Sequence, residues 1–480
     1  MARARTPGGP RRRARGAPRR GVPPRAAGRR LERRAGGRRP RVPALVRPAA
    51  PRSARRLPVS AAARPSRSAP TGDGTDRRLR VAVVTGGLAL TGGVERCVLE
   101  DTRELVAAGH TVSVWHRPSR PVADDATETT DAPEAPFRAL GVTLRSIGDQ
   151  RFGVRSALRD VARFARDGLR LRSERPDVVW LNRPEHLPWG RVVSVLAGVP
   201  LVVHLHHAPN YRRVAPLARG RTHFAAVSRT MARAWADVGV PTDRISVVPN
   251  GVDAAAFPAA SAADRLRARE TFGIAPDARA VLYYGRLTRA KGVLALLEAW
   301  RHVLDAADVR QPVASGPVGR SGGSQHDQRE RPLLVLAGAM LPGEDAAVRR
   351  AVAALPSGSV LVLPERDDVV PLLHAADLVV APSIEPEGFG RTVVEAMSAG
   401  VPVVAAATGG TGEILADGWA RFTVDPEDTD ALARVVVDAL DEALDSPALG
   451  ERARAFVRDH HGRHQHVTAL LRTLREHARR

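Results

Sequence analysis

Residues 381–415, APSIEPEGFGRTVVEAMSAGVPVVAAATGGTGEIL, concentrate side chains suited to a phosphorylated, hydroxyl-rich ligand. An apolar run ends at Ser383, a turn carries Glu387-Gly388-Phe389-Gly390, and helical spacing runs from Arg391 to about Ala399. The first N–H groups of such a helix, at Arg391 and Thr392, lack intrahelical partners and carry partial positive charge, which makes an anion site. Gly388 and Gly390 let the backbone come close to a ligand. A carboxylate beside a phosphate is repelled, so Glu395, one turn inside the helix, suits a pair of ribose-like hydroxyls. Glu387, in the turn, suits another polyol. The plainer alternatives are capping for Glu387 and a solvated helix face for Glu395, although Ala396-Met397 make the latter setting apolar.

A second chemical signal is Lys291. It is the only lysine in 480 residues, where Lys and Arg together number 74. The two cations stop being interchangeable where a compact ammonium must approach an anion that a planar guanidinium cannot reach. Chance survival on an exposed turn is the plainer alternative.

These residues need elements to hold them. Val81–Val84, a Gly-rich turn, a helical pattern over 94–105 and TVSVWH form a βαβ unit. DVVWLN (177–182), PLVVHLHH (200–207), HFAAVS (223–228) and ISVVPN (245–250) continue the series. A second series begins at RAVLYYG (279–285) and a helix over 293–304. It continues through the runs at 332–338, 359–364, 377–383 and 402–407. The expected fold is α/β, with two Rossmann-like domains joined near 253–263 and a ligand cleft outside the strands' carboxyl ends. The expected boundaries are a basic tail over 1–80, domains over 81–260 and 261–455, and a terminal helix over 456–480. Residues 121–136 and 310–331 read as structureless insertions.

The net charge of +23 is unevenly distributed. Residues 1–80 hold 25 arginines against three acidic residues, whereas 81–480 hold 49 basic and 48 acidic side chains. The arginine-rich tail has no periodicity and is expected to be disordered. Its readings are nucleic-acid binding, contact with an anionic membrane, a transit peptide, or passive sequence from an upstream start codon. The last is favoured, because coding bias accounts for a basic tail without lysine. Aromatics make up 4% of the chain, so a core of Val, Leu and Ala is expected. No apolar run is long enough to span a bilayer, and the first 80 residues lack the apolar stretch of a secretory signal. The single cysteine, Cys97, fits a reducing compartment, so the cytoplasm, including the inner face of the membrane, is the expected location.

The chain resembles the retaining GT-B glycosyltransferases of glycosyltransferase family 4 over roughly residues 81–475. The resemblance rests on Glu387-Gly388-Phe389-Gly390, Glu395-Ala396-Met397 and Gly400-Val401-Pro402-Val403-Val404. GGVE (92–95), PNGVD (249–253), GRLTRAKG (285–292) and GGTGEI (409–414) stand in the matching order. It implies sugar transfer with retention, from a UDP-, GDP- or ADP-sugar to a glycan, lipid or small-molecule hydroxyl, with no essential metal or other cofactor. It places Arg286 and Lys291 on the donor diphosphate, Gly92 and Gly93 near the donor phosphate, Glu395 on ribose and Glu387 on the donor sugar. Gly388, Phe389, Gly390, Arg391 and Thr392 complete the donor site. His206 falls where the family holds a histidine near the transferred sugar, with His204 and His207 leaving the register open. The same fold hosts epimerases and phosphorylases, and a membrane- or nucleic-acid-binding protein acting through the tail is the non-enzymatic rival. The near-neutral 81–480 region argues against nucleic acid as a partner.

Three further patterns have plainer explanations. HHGRHQH (460–466) lacks a carboxylate or cysteine to complete a metal cluster. DTD (428–430) opens a helical run and reads as a cap. VRSALRDVARFARDGLRLR (154–172) is amphipathic and basic, and reads as a packed helix with an arginine-rich solvent face rather than a membrane-surface helix.

Overall fold

The computed structural model describes residues 77–118, 133–310 and 331–479, apart from Thr91 and Asp417. The tail read over 1–80 lies outside the described residues up to residue 76. So do most of the insertions read over 121–136 and 310–331.

Two parallel sheets form. The first contains β1 (Arg80–Val84), β2 (Thr111–His116), β3 (Thr143–Ser146), β4 (Val178–Leu181), β5 (Leu201–Leu205), β6 (Thr222–Ala226) and β7 (Ile245–Val247). Its order is β3-β2-β1-β4-β5-β6-β7. The second contains β8 (Arg279–Tyr284), β9 (Pro332–Ala337), β10 (Val360–Leu363), β11 (Leu378–Ala381), β12 (Val403–Ala406) and β13 (Thr423–Val424), in the order β10-β9-β8-β11-β12-β13. Both are doubly wound, with the strand order reversing between β1 and β4 and between β8 and β11. Crevices at the carboxyl ends of such switch points are where this architecture holds ligands.

Every apolar run read as a strand is one, with bounds that shift by up to three residues. β3 and β13 were not legible, because TLRS and TV are too short and too polar to show a pattern. The first domain begins earlier than residue 81: Leu79 is buried and Arg80 pairs with Thr111. The acidic insertion ends earlier than residue 136, since Ala135–Arg138 is helical and Phe137 is buried. The core is less purely aliphatic than composition implied. Trp115, Trp180, Trp189, Trp235 and Trp300, five of the six tryptophans, are fully buried.

Two segments cross between the domains. Ser261 opens the second domain with a capping box, its hydroxyl accepting from Asp264 N while the Asp264 carboxylate accepts from Ser261 N. At the other end, helix Pro447–His460 packs on the second domain and helix Arg463–His477 on the first, so the return crossing falls at 461–463. The crossings pair with each other, as Val252 N–H donates to His461 O and Arg463 N–H to Val252 O, both at 2.9 Å. A Cβ on Gly251 would collide with the backbone of Gly462 and Arg463, which explains the glycine there.

Candidate active site

β8 and β11 are neighbours, so the loops leaving their carboxyl ends run side by side. Ile384 and Glu385 both donate backbone N–H groups to Ala290 O, at 3.0 and 3.1 Å. Gly292 has φ +77°, and a Cβ there would overlap the Pro382 carbonyl, so only glycine lets the loops close this far. The result places Lys291 Nζ 2.9 Å from Glu387 Oε1, which also accepts from Ser383 Oγ at 2.6 Å. The lone lysine and the first glutamate of the pair, 96 positions apart, thus meet directly. Arg286 stands exposed at the end of β8, its carbonyl held by Tyr283 OH at 2.7 Å.

Glu395 is held on both oxygens: Oε1 accepts from Arg391 Nε at 2.9 Å and Oε2 from Tyr284 OH at 3.2 Å. Arg391 differs from its expected role on the donor. Its guanidinium crosses the cleft and donates to Glu100 at 3.0 and 3.1 Å and to Cys97 Sγ at 3.1 Å. Burial pushes the Cys97 thiol up to about 11, so it meets Arg391 uncharged at neutral pH. Glu100 and Cys97 were not read as site residues, although Gly93, Cys97, Glu100 and Glu104 share one face of helix Gly93–Ala107 by their spacing. Phe389 is buried, and Gly390, at φ +104°, starts helix Arg391–Ser398 without a side-chain cap. The N-cap residue, a glycine, thus offers no side chain to the N–H groups of Arg391 and Thr392 at the helix start.

The first domain closes the cleft from the other side. Gly92 is the N-cap of helix Gly93–Ala107, and a Cβ on Gly93 would lie 3.5 Å from Arg391 Cδ. A Cβ on Gly388 would overlap the His206 carbonyl oxygen, so the two backbones touch across the cleft. His206, which supplies that carbonyl, is half-buried just beyond β5. Its Nε2 donates to Asn182 Oδ1 at 3.2 Å, leaving Nδ1 an acceptor. Burial, with help from His207 and Arg183, lowers it to about 3, so it is neutral in the physiological range. His204 is fully buried inside β5, its ring 4.1 Å from that of His206. His207 pairs with Glu185 at 3.1 Å. A further clasp was missed in the sequence. Glu413, in the GGTGEI motif, accepts from Arg229 N at 2.9 Å and Thr230 Oγ1 at 2.6 Å, capping helix Arg229–Asp237 of the other domain.

The remaining patterns fall into place. His466 Nε2 faces Asp101 at 2.9 Å and its Nδ1 faces Pro249 O at 2.7 Å, while His460 bonds within its own helix. Asp428 caps helix Thr429–Asp445 by accepting from Ala431 N at 2.9 Å. Helix Ala157–Glu174 packs Phe164, Gly168 and Leu171 inward but leaves Leu158 90% and Leu169 62% exposed among its arginines. No described helix is long and apolar enough to cross a membrane.

Two Rossmann-like domains whose switch-point loops meet over a glycine-lined cleft are the GT-B arrangement. The chain belongs to glycosyltransferase family 4: the Glycosyltransferase Family 4 profile matches residues 91–256 and that of Glycosyl transferases group 1 matches 264–456. It is 30% identical to the D-inositol 3-phosphate glycosyltransferase of a Nocardioides species, over 78% of this chain and 84% of that protein. The lipopolysaccharide 1,2-N-acetylglucosaminetransferase of Salmonella typhimurium is 27% identical over 54% of this chain and 62% of its own length. Among solved structures, Anabaena HepE in complex with UDP and glucose superimposes with a TM-score of 0.64 at 23% identity, covering 83% of this chain and all of that one.

Proposed function

We propose that this glycosyltransferase retains anomeric configuration and moves a sugar from a nucleotide-sugar donor to an acceptor hydroxyl. The observation that carries the reading is the convergence of Lys291 and Glu387 beside the uncapped start of helix Arg391–Ser398. Arg286 and Lys291 take the donor diphosphate, Glu395 the ribose and Glu387 the sugar. As the bond from the anomeric carbon to the diphosphate oxygen breaks, negative charge grows on the leaving group. Each fixed cation about 4 Å away contributes a gross Coulomb attraction of about 4 kcal/mol at an effective dielectric near 20, before desolvation. The acceptor hydroxyl attacks from the face the diphosphate leaves, and a donor phosphate oxygen takes its proton. Neutral His206, an acceptor at Nδ1, orients a sugar hydroxyl and does not act as a cation.

Retention and donor identity are tested together. UDP-, GDP- and ADP-sugars are offered with acceptors that include D-inositol 3-phosphate, chosen because the Nocardioides relative bears that name. An α-linked product from an α-linked donor supports the reading, and a β-linked product overturns it. Altered nucleotide-sugar formed without acceptor would make the protein an epimerase.

A further inference from the structure

At the edge of the first sheet opposite the cleft lies a cavity of about 670 Å³. It opens where β5 and β6 begin, at Pro200 and Thr222, whereas the cleft lies beyond the strands' carboxyl ends. Arg77, Arg221, Arg244, Arg475 and Arg479 line it with two carboxylates, Asp243 and Glu476, and Arg77 is paired with Asp177 at 3.2 Å. Guanidinium groups crowded this way repel one another unless an anion sits among them. Arg244 is fixed in place by the carbonyls of Ala218 and Gly220, at 2.8 and 2.7 Å, which orient its charge without neutralising it. Burial and the nearby Arg244 charge together lower the Arg191 guanidinium, which sits behind Gly220.

Arg221 and Arg479 are exposed and Arg244 is half-buried, so their guanidinium groups are what the cavity offers a ligand. His223 and His477 stack there at 3.7 Å, and burial lowers both, so they add polar ring atoms but no charge at neutral pH.

We propose that this cavity is a second anion site, separate from the cleft, that binds a diphosphate group. With Arg77 paired to Asp177, four arginines against two carboxylates leave a two-charge excess, more than one carboxylate would balance, and planar guanidinium groups match phosphate oxygens bidentately. The volume is that of a small-molecule site rather than a single-ion niche. A free nucleoside diphosphate and the headgroup of a diphosphate-linked lipid share this chemistry. The site does not depend on the retaining mechanism proposed above.

The test is a titration of the full chain with inorganic pyrophosphate, in a background of Arg286→Ala and Lys291→Ala that removes the cleft's own diphosphate contacts. Pyrophosphate should still bind in that background. Arg221→Glu, at an exposed position, should weaken it by about tenfold or more. Arg479→Glu, also at an exposed position, should weaken binding to a similar extent. A parallel titration with UDP and co-sedimentation with vesicles carrying a lipid diphosphate separate the two sources. No pyrophosphate binding in the cleft-disabled background would overturn the proposal. So would binding that Arg221→Glu and Arg479→Glu leave unchanged. Should Arg221→Glu not fold, Arg479→Glu decides alone.

Discussion

In the second domain, two neighbouring loops carry Arg286, Lys291 and Glu387, and the helix that follows carries Glu395. In the first domain, the matching strand ends bring backbone close, at Gly92, Gly93 and the His206 carbonyl, while their charged side chains pair within the domain, Arg183 with Glu95 and His207 with Glu185. The strand orders are the same, but the chemistry is divided unequally. Under the function proposed above, charged side chains gather where a fixed chemical group, the diphosphate and ribose, has to be held. Close backbone approach dominates where the opposing wall has to close over it. The comparison can be broken or sharpened by experiment.

The largest effect should come from Lys291. Removing a cation aimed at a developing charge typically costs about a hundredfold in kcat, and Lys291→Ala should do so. Lys291→Arg should lose most of that activity as well, because the longer planar group cannot occupy the place where Nζ meets Glu387. Turnover within a factor of two of the parent would show that the lone lysine is incidental.

Gly388→Ala tests the opposing wall. Its methyl group would meet the His206 carbonyl, so the domains must part, and a misplacement near 1 Å can cost up to about a hundredfold. Unchanged kcat/KM, with small-angle scattering showing no opening, would contradict the picture of a wall built by backbone contact. The glutamates should split by role. Glu395→Gln should raise the donor KM by about tenfold, and Glu387→Gln should lower kcat more than it changes KM. Identical profiles for both would erase the distinction between ribose and sugar contacts.

Acidification should weaken both domains' packing. Burial lowers His186, His223 and His461 to about 4 and His206 to about 3, below the about 6.5 of an unfolded histidine. Between these values the unfolded chain binds the protons and the folded one does not, so stability rises with pH across that window. Melting temperatures should therefore fall from pH 7 to pH 5, and His223→Asn should flatten part of that slope. The smallest effect is expected from a chain beginning at Asp76. It should fold and transfer sugar to a soluble acceptor at the parental rate, since Leu79 and Arg80 already belong to the first domain. Aggregation of that shorter chain would place the tail within the fold.

Much of the donor half was legible in order of residues alone. The spacing of Glu387 and Glu395, the glycines of the turn and the lone Lys291 are patterns within short stretches, and local backbone rules connect such patterns to strand, turn and helix. Arg391 shows where that stops. Its position at a helix start suggested an anion, whereas its guanidinium is held by Glu100, 291 positions away. The Glu413 cap on the opposing helix and the pairing of Val252 with His461 are equally distant in sequence.

The sequence by itself determined the two α/β series and the family to which the chain belongs. Tertiary structure alone decided that Lys291 meets Glu387, that Arg391 crosses to Glu100, that the His206 carbonyl meets Gly388, and where the chain crosses back. The physical reason is range. Periodicity and turn chemistry act over a few residues, but an ion pair across a cleft is set by how two independently folded sheets meet, and no local pattern encodes that distance.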